Sequence, residues 1–253
     1  RACSLPGQVP KVYTNMDQAI AYCRAKGPGW HCMTNAEYAA IALWCKANGY
    51  YPRGNNNYGS DHGYPHEKCR PGTVGSDGRI NLGLTGSGPN SWTHDGTPNG
   101  IYGLNGDGWE WAIGLRTNNG EIHVFTGNNA AKNTADLTAG SAEWKAILPD
   151  GTLVAPGTAG TLKIDIVSGV PKISTTIKTT TSGDQWPSTS FKDLAVESGI
   201  TIPDILKALA IFPSDNSDHG GDRFYARNDG EKCFFRGGHW YLASHAGVFS
   251  LDG

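Results

Sequence analysis

Between Arg236 and Phe249 the chain reads Arg-Gly-Gly-His-Trp-Tyr-Leu-Ala-Ser-His-Ala-Gly-Val-Phe, and neither a helical nor a strand period runs through it. Gly237, Gly238, Trp240, Gly247, Val248 and Phe249 are types that fix a turn or fill a core. His239, Tyr241, Leu242, Ser244 and His245 share no size, charge or spacing. Aromatic and hydrogen-bonding side chains crowded onto a glycine-punctuated segment suit a binding surface, because rigid rings give contact area at low entropy cost. The same run also fits a buried strand and loop of an ordinary domain, since short apolar and aromatic runs are often core.

The rest of the chain must supply whatever holds this segment. It has 35 glycines, 8 tryptophans and 10 tyrosines among 253 residues, with only 17% charged, so it is rich in turns and rings and poor in solvated helix faces. That balance points to a loop-rich α+β protein. Its length allows one large domain, or one domain with an insertion. A net charge of −2 leaves no electrostatic footprint for nucleic acid or an anionic membrane as partner. No apolar run is long enough to span a bilayer, so membrane insertion is not expected, and Arg1 to Pro10 carries no hydrophobic signal core. Cys3, Cys23, Cys32, Cys45, Cys69 and Cys233 form no CxxC motif, which argues against zinc; one or two disulfides and buried free thiols both fit.

Two helices are well marked near the start. Asn15 is an N-cap for Met16 to Ala25, with Gly27 as the stop. Thr34-Asn35-Ala36-Glu37 is a capping box, after which Tyr38, Ile41, Ala42 and Cys45 repeat at helical spacing up to Gly49. From Tyr50 to Gly88, glycine and asparagine favour tight turns over any regular element. His62 and His66 would share a helix face with Glu67 nearby, but Gly63 and Pro65 break that helix, so surface loop histidines are expected there.

In Gly106-Asp107-Gly108-Trp109-Glu110-Trp111 the rings alternate around a carboxylate, which predicts a strand with both tryptophans in the core and Glu110 on the other face. Trp240 is expected to join them there. The glycine turn before the strand can aim backbone carbonyls at one point, so Gly106, Gly108 and Glu110 are a candidate calcium site. A core strand whose glutamate caps backbone amides fits equally. Residues 120–186 read as a β-rich insertion on the same domain, with strands at Glu121–Phe125, Leu153–Ala155, Leu162–Val167 and Lys172–Ile177, the last two joined by a hairpin turn at Ser168–Pro171. Ser190-Phe191-Lys192-Asp193 is expected to cap a further helix, and Pro203 to Ala210 to begin another.

Three motifs now stand in order: Trp30-His31-Cys32-Met33-Thr34-Asn35-Ala36-Glu37-Tyr38 with Pro52-Arg53-Gly54-Asn55-Asn56, then Gly106 to Trp111, then Arg236-Gly237-Gly238-His239-Trp240 with Ala246-Gly247-Val248-Phe249. Together they resemble the variable proteins of diversity-generating retroelements, which use a C-type lectin fold of the formylglycine-generating-enzyme type. The resemblance implies a single α+β domain over residues 1–253, with two N-terminal helices, a twisted antiparallel sheet and a C-terminal variable region at 221–253. It implies that this region is rewritten by adenine-directed mutagenesis and displayed as a ligand-binding surface, as in phage tail tropism determinants and surface proteins of bacteria or archaea. Scaffold positions would be Arg236, Gly237, Gly238, Trp240, Ala246, Gly247, Val248 and Phe249. Displayed positions would be Phe234, Phe235, His239, Tyr241, Leu242, Ser244, His245, Ser250 and Asp252. Replacement of adenines in AAC codons cannot produce Trp, Met, Gln, Lys or Glu, and none of these positions holds one. The implied partner is a cell-surface ligand, protein or glycan, met at a virion tail or a cell surface, and a homo-oligomer is compatible with that role. Two departures stand out. Relatives carry an acid or amide where Gly103 stands, which removes one calcium ligand, and they continue beyond Val-Phe-x-Leu to a closing strand, so a short terminus is implied.

An enzyme of the same fold is the rival class. A formylglycine-generating enzyme needs a reactive cysteine pair shortly after the Arg-Gly-Gly turn, where Tyr241, Leu242 and His245 stand here. A sulfoxide synthase needs three histidine ligands, which the broken His62 and His66 pair does not supply. Fold alone carries no chemistry, and binder is the expected class, with a structural tail component as a third reading. Incubation with copper and cysteine-containing peptides should therefore yield no formylglycine by mass spectrometry; turnover would reverse the order.

Overall fold

The computed structural model describes residues 2–253, leaving Arg1 of the Arg1–Pro10 stretch outside it. Helix α1 covers Met16–Arg24 and helix α2 covers Asn35–Ala47. Each starts on a complete capping box. The Asn15 side chain accepts from the Gln18 N–H while the Gln18 side chain accepts from the Asn15 N–H, and Thr34 and Glu37 repeat the exchange. Both boxes satisfy amides that a helix start otherwise leaves unpaired. On α2, Tyr38, Ala39, Ala42 and Cys45 are buried, with Ile41 packed at the margin of the same face.

Between residues 50 and 88, where turns alone were expected, the chain makes a small antiparallel hairpin of β1 (Pro71–Val74) and β2 (Ile80–Gly83). Its turn is closed locally: the Gly75 N–H donates to the Arg79 carbonyl (2.8 Å), and the Asp77 carboxylate accepts from the Arg79 backbone (3.0 Å) and Nε (2.7 Å).

All other strands belong to one large sheet. Across it run β10 (Ala195–Val196), β8 (Val170–Ser174), β7 (Lys163–Val167), β4 (Glu121–Phe125), β3 (Glu110–Asn118), β12 (Glu231–Gly237), β13 (Gly247–Asp252), β11 (Arg223–Tyr225) and β9 (Ser188–Ser190). β5 (Trp144–Ile147) adds to β4, and β6 (Leu153–Val154) to β5. Pairing is antiparallel except between β10 and β8 and between β11 and β13. The segment 120–186 thus contributes β4 to β8 to this sheet, and its Ile122, Ile147, Leu162 and Ile164 lie in the same core cluster as Tyr38 and Phe249. The β7–β8 turn is tighter than the sequence implied: Ser168 (φ 52°) and Gly169 (φ 79°) turn the chain alone, with Val167 opposite Val170. Two successive positive φ values match the right-handed twist of the flanking strands. Pro171 therefore falls inside β8, at a position before β10 begins to pair, and the strand ends at Ser174.

The stretch expected to cap a helix at Ser190 makes only a 3-10 turn, Phe191–Asp193, with no side-chain cap. Two contacts hold the segment to the sheet: the Phe191 N–H donates to the Asp222 carbonyl (2.8 Å), and its buried ring stacks on Phe249 with centroids 5.2 Å apart. Helix α3 (Asp204–Ala208) follows Pro203, as the sequence indicated. Among the described residues no helix is long and apolar enough to cross a membrane.

Helix α2 packs on β3 and β13 and α3 packs on α2, and one side chain ties both helices to β12. Arg236 of β12 is fully buried; its Nε and Nη2 donate to Asn35 Oδ1 (3.0 and 2.6 Å), and Nη2 also donates to the carbonyls of Leu209 (3.1 Å) and Ala210 (3.0 Å). Removing a partner from a buried, charged donor leaves its desolvation cost uncompensated. Asn35→Ala should therefore lower the unfolding free energy by about 3 kcal/mol in urea titration. A loss below about 1 kcal/mol would mean that Arg236 does not join strand to helices.

Candidate ligand-binding face

Register decides which side chains meet on the outer side of the sheet. Tyr225 of β11 lies opposite Asp252 of β13, Asp252 opposite Phe235 of β12, and Phe235 opposite Trp111 of β3. Directly paired residues share a face, so these side chains form one row across the sheet. Their neighbours one step along, Phe224, Leu251 and Arg236, are buried on the opposite side. Trp111 lies on Phe235 with centroids 3.8 Å apart. Trp109 closes over the row, 6.2 Å from Tyr225, 6.4 Å from Phe235 and 6.0 Å from His239.

Trp109, Trp111 and Trp240 are half-buried in this layer, which corrects the expectation that they fill the core. The alternation around Glu110 holds with its faces exchanged. Glu110 pairs with Arg236, so it turns to the inner side, and the indoles go outward.

After β12 the chain loops back as residues 238–246. Gly238 (φ 81°) lies so close to the returning chain that a Cβ would come within 2.7 Å of the Ala246 Cβ. The loop is hung on the Asn-rich segment 52–59: the Tyr58 N–H donates to the Trp240 carbonyl (2.8 Å), and the Ala243 N–H donates to the Asn56 carbonyl (2.9 Å). That segment is itself rigid, because Asn56 donates to Asp61 (3.0 Å) and Asn105 (3.1 Å) while Asn55 donates to Asp107 (2.7 Å). At the loop's far end the buried Asp222 carboxylate accepts from the Phe249 N–H (2.6 Å), and a Cβ on Gly247 would come within 2.1 Å of it. Burial pushes the Asp222 carboxyl up to about 7.

Of the positions expected on the surface, Tyr241, Ser244 and His245 are exposed, and Phe235, His239, Leu242 and Asp252 are half-buried in the same outer layer. Phe234 and Ser250 are not displayed. Phe234 alternates inward from Phe235 and is 1% exposed with Gly253 packed on its ring, and Ser250 is 0% exposed beneath the Ala243–His245 turn, its hydroxyl donating to the His245 carbonyl. Arg236, Gly237, Gly238, Ala246, Gly247, Val248 and Phe249 are buried. Tyr225 and the two indoles of the WEW motif belong to the face but were not expected in it. The alternation of Arg223-Phe224-Tyr225 between Asp222 and Ala226 was the available sign for Tyr225.

Burial without a charged partner lowers the His239 pKa to about 4, so this ring is neutral near pH 7. His245 is also lowered, first by burial and then by Arg223 and His62. Asp252 is raised to about 6 by burial.

Behind Trp109 a cleft of about 640 Å³ opens between the N-terminal segment and residues 82–110. Glu110 is open to this cleft yet walled in by protein, and desolvation, with Asp107 beside it, raises its pKa to about 8. Calcium takes six to eight oxygen ligands. Glu110 and Asp107 are hard donors, but Asp107 Oδ1 is already engaged by Asn55 Nδ2 and the Gly83 N–H. No group of three or more His, Cys, Asp or Glu is gathered among the described residues. The side-chain set at Gly106, Gly108 and Glu110 is therefore short of what calcium needs, and main-chain carbonyls would have to complete it. His62 and His66 are exposed in a loop, while Glu67 is committed to Arg53, Ser91 (2.7 Å) and Trp92 (3.1 Å). All six cysteines are free thiols, and burial holds Cys233, the one within the C-terminal segment, at about 11.

No protein-family model matches the chain, and neither does any curated protein.

The raised Glu110 carboxyl has a pH signature. Its folded pKa lies above the unfolded value, so the folded state holds the proton more tightly; its penalty is absent below the unfolded pKa of 4.5, grows as pH rises, and is complete above about 8. Glu110→Gln carries no such penalty. It should match the wild type in melting temperature at about pH 5 and exceed it at about pH 9, by on the order of 1 kcal/mol after screening by water in the cleft. A constant difference across that range would place Glu110 in ordinary solvent.

Proposed function

We propose that the protein is a ligand-binding protein of the retroelement variable-protein kind, whose segment 221–253 presents exchangeable side chains on a fixed scaffold. The observation that carries this reading is the division of labour within one short stretch. Tyr241, Ser244 and His245 are exposed and Phe235, His239, Leu242 and Asp252 half-buried, while Arg236, Gly237, Gly238 and Ala246 to Phe249 are buried, with Trp240 and Ala243 half-buried between. A packed interior responds to the loss of a single methylene, so exchange is affordable only in the outer layer. The loop's backbone bonds to residues 56 and 58 use no variable side chain, which keeps its shape independent of what it displays.

The ligand belongs to a cell surface, protein or glycan, and the protein to a virion tail or a cell exterior. Binding is favoured over catalysis because burial holds Cys233 as a thiol and the His239 ring neutral near pH 7, away from a value that would let it exchange protons there. A near-identical copy of the coding sequence for residues 221–253, beside a reverse transcriptase gene, would be the genomic counterpart.

Alanine at Tyr241, Leu242 and His245 together should abolish capture on a cell-surface glycan and protein array, while each change costs no more than about 0.5 kcal/mol of stability. Phe234→Ala should instead cost about 3–5 kcal/mol as a core truncation. If the triple variant unfolds, or keeps its ligand, the displayed-face reading fails.

A further inference from the structure

The middle of the aromatic row is a carboxylate. Asp252 lies between Tyr225 and Phe235 in register, with Trp109 within 6.2 Å of the first ring and 6.4 Å of the second. Its Oδ1 is out of contact with water and has no hydrogen-bond partner. The one interaction favouring its charge is the Gly253 N–H, and no lysine or arginine contributes.

Nearby cations are otherwise engaged. Arg223 is on the same face of β11 as Tyr225, but its guanidinium donates to Ser188 Oγ (2.9 Å) on β9, on the far side of β11 from Asp252. His239, 6.0 Å from Trp109, is neutral near pH 7 and leaves its own Nδ1 unpaired. A half-buried carboxylate with one oxygen unpaired and no cationic partner carries a desolvation cost that a cation would offset. Aromatic rings beside it add attraction for a positive charge seated over a ring and none for a neutral group of the same shape. Tyr241 is exposed, with its ring centroid 3.9 Å from that of His239.

We propose that the nest formed by Trp109, Tyr225, Phe235 and Asp252 receives an alkylammonium group, and that this group is the anchor by which the displayed face holds its ligand. The inference rests on the binding-face reading given above and narrows it to a ligand bearing a cationic nitrogen. The rings supply the cation–π faces and Asp252 the counter-charge. Trp109 belongs to the scaffold motif and Asp252 to the exchangeable set, so ligand class changes when position 252 changes.

Choline chloride is the probe, titrated into the whole protein by calorimetry at constant ionic strength, beside its uncharged isostere in which carbon replaces the nitrogen. One saturable site for choline is expected, with the isostere and Asp252→Asn each weaker by about tenfold or more. Should Asp252→Asn fail to melt with the wild type, Tyr225→Leu takes its place and should show a loss of the same order. Absence of saturable heat, equal binding of the isostere, or undiminished binding by a folded variant overturns the proposal. Array capture separates the two readings: a ligand lacking cationic nitrogen, captured by the wild type and lost in the triple surface variant, overturns the ammonium site and leaves the face. Choline binding with no captured ligand does the reverse.

Discussion

A guanidinium taken out of water needs acceptors, and Arg236, carried by β12, finds them for Nε and Nη2 on two other elements: α2 offers Asn35, and the end of α3 offers two carbonyls. The geometry of a planar fork is strict, so these elements can move little relative to one another. Burial depresses the Arg236 pKa to about 10, which leaves it charged near pH 7, and Nη1 stays without a partner. Its neighbours follow from that placement. With position 236 pointing inward, Phe235 must point outward, and the register with β3 and β13 turns Trp111 and Asp252 outward with it.

The loop beyond β12 is held by a different kind of contact. Its main chain bonds to the main chain of residues 56 and 58, and those residues are fixed by asparagine side chains acting as surrogate backbone. Such a support is indifferent to the identity of His239, Tyr241 or Ser244. Tight turns, not regular elements, carry the loop, and Gly238 is required where the chain passes Ala246 at van der Waals range.

Local chemistry in the sequence was legible. The Asn15 cap, the Thr34 to Glu37 box, the place though not the tightness of the β7–β8 turn, and the Pro203 start are set by neighbours a few residues apart, which a linear reading can weigh. Matters of side were not. A period of two says that Trp109 and Glu110 face apart but not which faces inward; that was decided by Arg236, more than a hundred positions away in the chain. Phe234 and Ser250 failed for the same reason, since their types suit either face and only register and the overlying turn bury them. The helix expected after Ser190 was lost to a long-range bond from Phe191 to Asp222, invisible to capping rules. The β1–β2 hairpin hid among glycines that dilute any strand pattern.

Strand β13 lies between β12 and β11, and its two neighbours run in opposite directions relative to it. Until residues 247–252 have left the ribosome, β12 and β11 each present an open edge of unpaired amides and carbonyls to whatever is near. Closure of this part of the sheet therefore waits for residues 247–252, and until then the nascent chain is open to misassociation at both edges. If the segment is rewritten from generation to generation, each new version inherits this task, and chaperone demand during translation becomes a filter on variants that acts before any ligand is met.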